Sequence, residues 1–172
     1  MYRNLIDLFK ENEGKGAVGA FNVHCFEMLP AMVRAAEELG VPVILQTSLG
    51  TARYIGFEPL IAAVKAIAEK SAVSVALHMD HCKDIDALKE AIDKGYSSVM
   101  YDGSSLSLEE NIKNTKEVVA YAHERNVSVE GEVGSIGGAE EGVVVAKDDA
   151  MYTKPEDALY FAENTGVDAL AV

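Results

Sequence analysis

Cysteine is scarce in this chain, positive charge is outnumbered, and no long apolar run is present. The two cysteines, Cys25 and Cys82, are isolated, with neither a CxxC pair nor a CxxC/HxxxH arrangement. That excludes a disulfide framework and a cysteine-based zinc module, and it predicts a reducing, cytoplasmic setting. Only 15 Lys and Arg stand against 28 Asp and Glu, a net charge of −13. A nucleic-acid backbone or an anionic membrane surface would repel such a protein, so neither is expected as a partner. No window reaches membrane-spanning length, and the opening Met1-Tyr2-Arg3-Asn4 lacks the apolar stretch of a signal peptide. Low-complexity tracts and repeats of fixed period are absent too.

What is present is 172 residues, 49% of them hydrophobic, enough for one domain with a real core. Short apolar runs alternate with amphipathic helical patterns, each closed by a stop signal, which is βα alternation. Strands are predicted over 17–23, 42–47, 73–80, 97–101, 127–133 and 168–172. The first connecting helix carries Met28, Met32, Ala35 and Leu39 at helical spacing and stops at Gly40. Further helices are predicted over 57–70 and 84–94. Ser107 with Glu110, and Thr153 with Glu156, read as capping boxes opening two more. Residues 1–14 hold a separate short helix, capped by Asn4, with Leu5, Leu8 and Phe9 on the face of a plug.

Strands that are apolar almost throughout are expected to be parallel and covered by helices. A doubly wound open sheet and a (β/α)₈ barrel of the TIM type both satisfy this. Polar residues at the strand ends favour the barrel: Asn22, Gln46, Asp80, His81, Asp102 and Glu132 would all reach one rim. No GxGxxG follows the first strand, which weakens a dinucleotide-binding sheet. A full barrel takes roughly 250 residues, so about six βα units of an incomplete barrel are expected here.

Two segments invite chemistry. In His78-Met79-Asp80-His81, imidazole and carboxylate meet at a strand tip, suiting a divalent metal with Asp80 placed for proton transfer. A hydrogen-bonded interior histidine is the plainer alternative. Asp102-Gly103-Ser104 and Glu130-Gly131-Glu132 bring further carboxylates to the same rim, although each can also serve as a helix cap. Carboxylates gathered this way repel one another unless a cation sits among them. The connection 134–152, rich in glycine and acids, is far longer than a usual βα loop and reads as a mobile active-site lid or a solvated excursion. Gln46-Thr47-Ser48-Leu49-Gly50 suits either an oxyanion or a helix cap.

The series Gly19-Ala20-Phe21-Asn22, His78-Met79-Asp80-His81, Met100-Tyr101-Asp102-Gly103-Ser104, Val129-Glu130-Gly131-Glu132-Val133-Gly134 with Gly137-Gly138, and Thr165-Gly166-Val167-Asp168 resembles the class II ketose-bisphosphate aldolases. The resemblance implies a zinc-dependent lyase of carbohydrate metabolism, acting on fructose or tagatose 1,6-bisphosphate to give dihydroxyacetone phosphate and glyceraldehyde 3-phosphate. It implies His81 as a zinc ligand, Asp80 as the acid/base, and Asp102 and Glu132 around a second divalent or a monovalent cation. Glu140 matches a proton-transferring loop glutamate, and Asn22, Gln46 and Ser48 match positions near substrate. A homodimer or homotetramer is implied as well.

Two departures from the family pattern stand out. Cys82 replaces the usual glycine after the metal-binding histidine; it either crowds that histidine or, as a lone cysteine usually does, packs as a small hydrophobe. The remaining zinc histidines of the family follow strands six and seven, so an incomplete, inactive chain is expected. A non-catalytic half-barrel subunit and another metal-dependent lyase on the same scaffold remain as alternatives.

Overall fold

Alternate residues of the predicted strands 42–47 and 73–80 join different hydrophobic clusters in the computed structural model, which describes residues 1–134 and 152–172 and the backbone of 138–140 and 143–145. In chain order the elements are α1 (Leu5–Glu11), β1 (Gly19–Asn22), α2 (Met28–Leu39), β2 (Val43–Thr47), α3 (Leu49–Ile55), α4 (Phe57–Lys70) and β3 (Val75–Cys82). There follow α5 (Ile85–Lys94), β4 (Ser98–Tyr101), α6 (Leu108–His123), β5 (Ser128–Glu132), β6 (Gly138–Glu140), β7 (Val143–Val145), α7 (Pro155–Thr165) and β8 (Ala169–Ala171). Strands β1, β2, β3, β4, β5 and β8 form one parallel sheet in that order. Strands β6 and β7 make a separate antiparallel ribbon. This is an incomplete (β/α) barrel, and among the described residues β1 and β8 are its two edges.

The two faces of the sheet have different duties. Val43, Leu45, Val75, Leu77, Met79, Val99 and Val129 join the main core with Leu29, Val33, Leu60, Val64, Leu88 and Val118 of the covering helices. Ile44 and Ala76 belong instead to a small cluster with Leu5 and Leu8. Helix α1 therefore plugs the inner face, held by Asn4 Oδ1 accepting the Asp7 N–H at 3.0 Å and by Ser128 Oγ accepting the Ile6 N–H at 3.3 Å. Phe9, expected on the same face, is left exposed, because a helix this short uses only the Leu5–Leu8 stripe for contact.

Helix boundaries follow local signals in most places. α2 ends at Gly40 in the left-handed region, φ 66°, where a side chain would be strained. Ser107 caps α6 by accepting the Glu110 N–H, and its hydroxyl donates back to Glu110 Oε2 at 2.9 Å. The second expected capping box is not made: Thr153 donates its hydroxyl to the Val133 carbonyl, tying α7 to the tip of β5, and Lys154 stands at the N-cap without a side-chain bond. Helix α3 was not anticipated. Its Gly50 and Thr51 are poor helix formers, so burial of Ala52 and the Ser48 cap must hold it. Among the described residues, no helix is long and apolar enough to cross a membrane.

Candidate metal centre and acid-base site

Consecutive residues of a regular strand point to opposite faces, so Asp80 and His81 can reach one rim only if the strand is deformed. It is. Between Met79 and Cys82 the register against β4 slips, so that Asp80 and His81 together oppose Met100. His81 takes φ 44°, a left-handed conformation rare for residues other than glycine. This bulge turns the chain between the two side chains. Asp80 stays on the inner face with His78, whose Nε2 lies 4.0 Å from Asp80 Oδ1. His81 swings toward β4 and β5.

There its Nδ1 lies 3.6 Å from Asp102 Oδ2 and 3.4 Å from Glu132 Oε2. One ligand atom from each of His81, Asp102 and Glu132 falls within 4.8 Å of the other two. A cation with tetrahedral bonds of roughly 2.0–2.2 Å keeps its ligands roughly 3.3–3.6 Å apart. The observed spacings match that edge length, and an imidazole with two carboxylates is a common donor set for divalent ions, so the residues fit a metal. Each carboxylate is pre-positioned. Asp102 Oδ1 accepts both the Ser104 N–H at 3.1 Å and its hydroxyl at 2.6 Å, leaving Oδ2 toward His81 and Lys83. Burial alone would raise the Asp102 carboxyl, but the hydrogen bonds from His81 and Ser104, with the Lys83 charge, hold it well below the usual range. Glu132 is buried, and its carbonyl accepts the Asn111 amide at 2.8 Å.

Glycine matters here through close approach. A Cβ on Gly131, between Glu130 and Glu132, would sit 2.7 Å from the Phe161 ring of α7. The tip of β5 can pack on that helix only without a side chain.

On the other side of His81, a hydrogen-bonded row crosses the strand tips. The Gln46 amide donates to Asn22 Oδ1 at 3.0 Å and to Asp80 Oδ2 at 2.6 Å. Asn22, Gln46, Ser48, Asp80 and His81 line a cleft of about 380 Å³. Ser48 does this while also capping α3, where its Oγ accepts the Thr51 N–H at 3.2 Å, so the capping and cleft roles coincide. Of the eight residues singled out from sequence, seven thus gather at the strand tips. The eighth, Glu140, has its backbone in β6, and its side chain lies outside the described residues, as does most of the expected lid 134–152.

Three residues belong to this region that sequence reasoning did not select. His78 is buried beneath Asp80, Glu130 lies 3.5 Å from His78 Nε2, and His24 lines the cleft. The alternation rule was the available signal, since His78 and Glu130 stand two residues before Asp80 and Glu132. Burial pushes the His78 imidazole down to about 3, helped by the nearby His81. Burial and the Asp80 charge push the Glu130 carboxyl up. Of the two readings of Cys82, the structure shows the small hydrophobe: it turns into the main core, where its thiol meets the Asp84 carbonyl at 3.5 Å. His123 of α6 pairs with Asp168 Oδ2 at 2.9 Å.

Parallel βα units whose C-terminal tips gather imidazole, carboxylates and amides beside one cleft define a (β/α)-barrel protein with a candidate cation site at its rim. The chain belongs to the class-II fructose-bisphosphate aldolase family, whose model matches residues 4–172. It is 42% identical over 167 residues to a fructose-bisphosphate aldolase of Staphylococcus aureus (strain Mu50 / ATCC 700699), covering 95% of this chain and 58% of that protein. A sulfofructosephosphate aldolase of Alkalicoccus urumqiensis is 39% identical, over 98% of this chain and 58% of the relative. The crystal structure of the YdjI aldolase from Escherichia coli K12 superposes with a TM-score of 0.84 at 33% identity, over 100% of this chain and 61% of that one. The chain thus spans a little under three fifths of the length of the curated relatives it matches.

Proposed function

We propose that this chain carries the proton-transfer and first metal-binding part of a class II aldolase, which cleaves fructose or tagatose 1,6-bisphosphate reversibly into dihydroxyacetone phosphate and glyceraldehyde 3-phosphate. The observation that supports this most is the juxtaposition at β3: Asp80, held by Gln46, stands one residue from His81 and its two carboxylate neighbours. His81 would hold zinc, with Asp102 and Glu132 in its outer shell or around a second cation. Zinc when bound supplies a Lewis acid that draws charge from the substrate ketone.

The chain's own residues do the rest. Asn22, Gln46 and Ser48 bind and orient the sugar in the cleft. Asp80 takes the proton of the C4 hydroxyl as the C3–C4 bond breaks, leaving glyceraldehyde 3-phosphate and a carbanion at C3. Glu140 returns a proton to C3. The enzyme works in the cytoplasm as a dimer or tetramer.

Zinc content and the release of triose phosphate from both epimeric bisphosphates test this in the 172 residues and in a zinc-loaded protein extended to the length of its relatives, with stoichiometric zinc and cleavage expected only of the longer one, in which the variants are assayed. Asp80→Ala is expected to lower kcat by about a hundredfold or more with little change in KM, the mark of a group used in the transition state. Equal loss of kcat and binding would remove Asp80 from the proton-transfer role. Stable folding of the longer protein with no zinc and no cleavage would favour the non-catalytic reading instead.

A further inference from the structure

His78 is 2% exposed in the inner face of the sheet, and its Nδ1 lies 2.8 Å from Ser98 Oγ, directly across in register on β4. Its other nitrogen faces two acids, with Glu130 Oε2 at 3.5 Å and Asp80 Oδ1 at 4.0 Å. Two neutral tautomers are available to an imidazole so placed. With hydrogen on Nδ1, the bare lone pair of Nε2 would face both acids, which is repulsive when they are ionised. With hydrogen on Nε2, the Ser98 hydroxyl donates to Nδ1 and the ring proton points at the acids. Ser98 is fully buried, so its hydroxyl gains by making this bond. Asp80 is then held by the Gln46 amide on Oδ2 at 2.6 Å, with the ring proton of His78 turned toward Oδ1 at 4.0 Å as an electrostatic contact.

We propose that His78, fixed by Ser98 as the Nε2–H tautomer, is a positioning residue that orients the Asp80 carboxylate and keeps Glu130 beside it. This rests on Asp80 being the acid/base of the aldolase reaction. It adds an inner layer, running from Ser98 through His78 to Asp80 and Glu130, beneath the residues that touch substrate or metal. Catalytic geometry is sensitive at this level, because small displacements of a reacting group are costly.

The test separates this inference from the aldolase assignment by including readouts that need no substrate. Metal-free protein labelled with ¹⁵N-histidine and with ¹³C at the side-chain carboxyls is compared for wild type, Ser98→Ala, Ser98→Thr and His78→Gln. Long-range ¹H–¹⁵N correlations are expected to show a single Nε2–H tautomer in wild type and in Ser98→Thr. In Ser98→Ala, mixed tautomers are expected, with shifted carboxyl resonances for Asp80 and Glu130. An Nδ1–H tautomer in wild type, or carboxyl resonances indifferent to Ser98→Ala, overturns the proposal whatever the enzyme does. In turnover, Ser98→Ala is expected to lower kcat about tenfold at nearly constant KM. Ser98→Thr should restore kcat, and His78→Gln, which keeps a donor near Nε2, should retain part of it. Unchanged kcat in Ser98→Ala overturns positioning of Asp80 as well. If wild type cleaves no bisphosphate, the aldolase assignment fails, and the tautomer and carboxyl signals still decide the role of His78.

Discussion

Gln46 and Asp80 are joined across adjacent strand tips by a 2.6 Å hydrogen bond in which the amide donates to the carboxylate. A donor at that distance favours the ionised acid and fixes its direction. Gln46→Leu is therefore expected to lower kcat about tenfold, chiefly by loosening Asp80. Gln46→Glu should be worse, because it sets a second negative charge against the first. Steady-state kinetics of the two variants check this, and a fully active Gln46→Glu enzyme would refute the donor role.

Metal binding should stabilise the fold, since the three ligand side chains come from β3, from the turn after β4 and from β5. At zinc one hundred times its Kd, the linkage contribution is about 2.7 kcal/mol. Chemical denaturation with chelator and with zinc measures it. His81→Ala should abolish the difference, and Asp102→Asn or Glu132→Gln should weaken zinc binding on the order of tenfold or more. A zinc effect that survives all three substitutions would place the ion elsewhere.

Gly131→Ala brings a methyl group to 2.7 Å from the Phe161 ring, so either the ring or the tip of β5 must move. Overpacking of this kind costs about 1–3 kcal/mol. Thermal unfolding should reveal that loss together with weaker zinc binding, because Glu132 is the next residue. A neutral effect on both would show that α7 yields freely.

Tyr96 is 1% exposed, and its hydroxyl lies 2.8 Å from Thr47 Oγ1 in the core. Burial pushes its phenol up from 10 to about 12. The unfolded chain therefore releases this proton first, and its contribution is intact below pH 10 and fades as pH rises toward 12. Over that window about 2–3 kcal/mol should be lost. Comparing denaturation of wild type and Tyr96→Phe between pH 9 and 12 isolates it, with the phenylalanine variant expected to show the shallower decline.

The βα order and the strand positions were legible because burial on both faces leaves apolar runs, and because caps such as Ser107 and stops such as Gly40 are local chemistry. The rim was legible because polar residues at the ends of otherwise apolar strands have few structural uses. Helix α3 was not, since tertiary burial of Ala52 overrides the poor propensity around Gly50. Nor was the capping at α7, where Thr153 is drawn to a carbonyl remote in sequence. The direction of Cys82 could not be read for a related reason. A bulge rotates every residue within it, so the outward direction of the thiol depends on the backbone of His81.

That same left-handed residue has a mechanical corollary. Because Asp80 and His81 are joined by one peptide unit, rocking of helices or breathing of the sheet leaves their backbones at a fixed spacing, and only rotation of the side chains or of the peptide between them can alter the gap between carboxylate and imidazole. Variants that straighten this bend should uncouple the two groups together, an outcome that no substitution at either side chain alone would imitate.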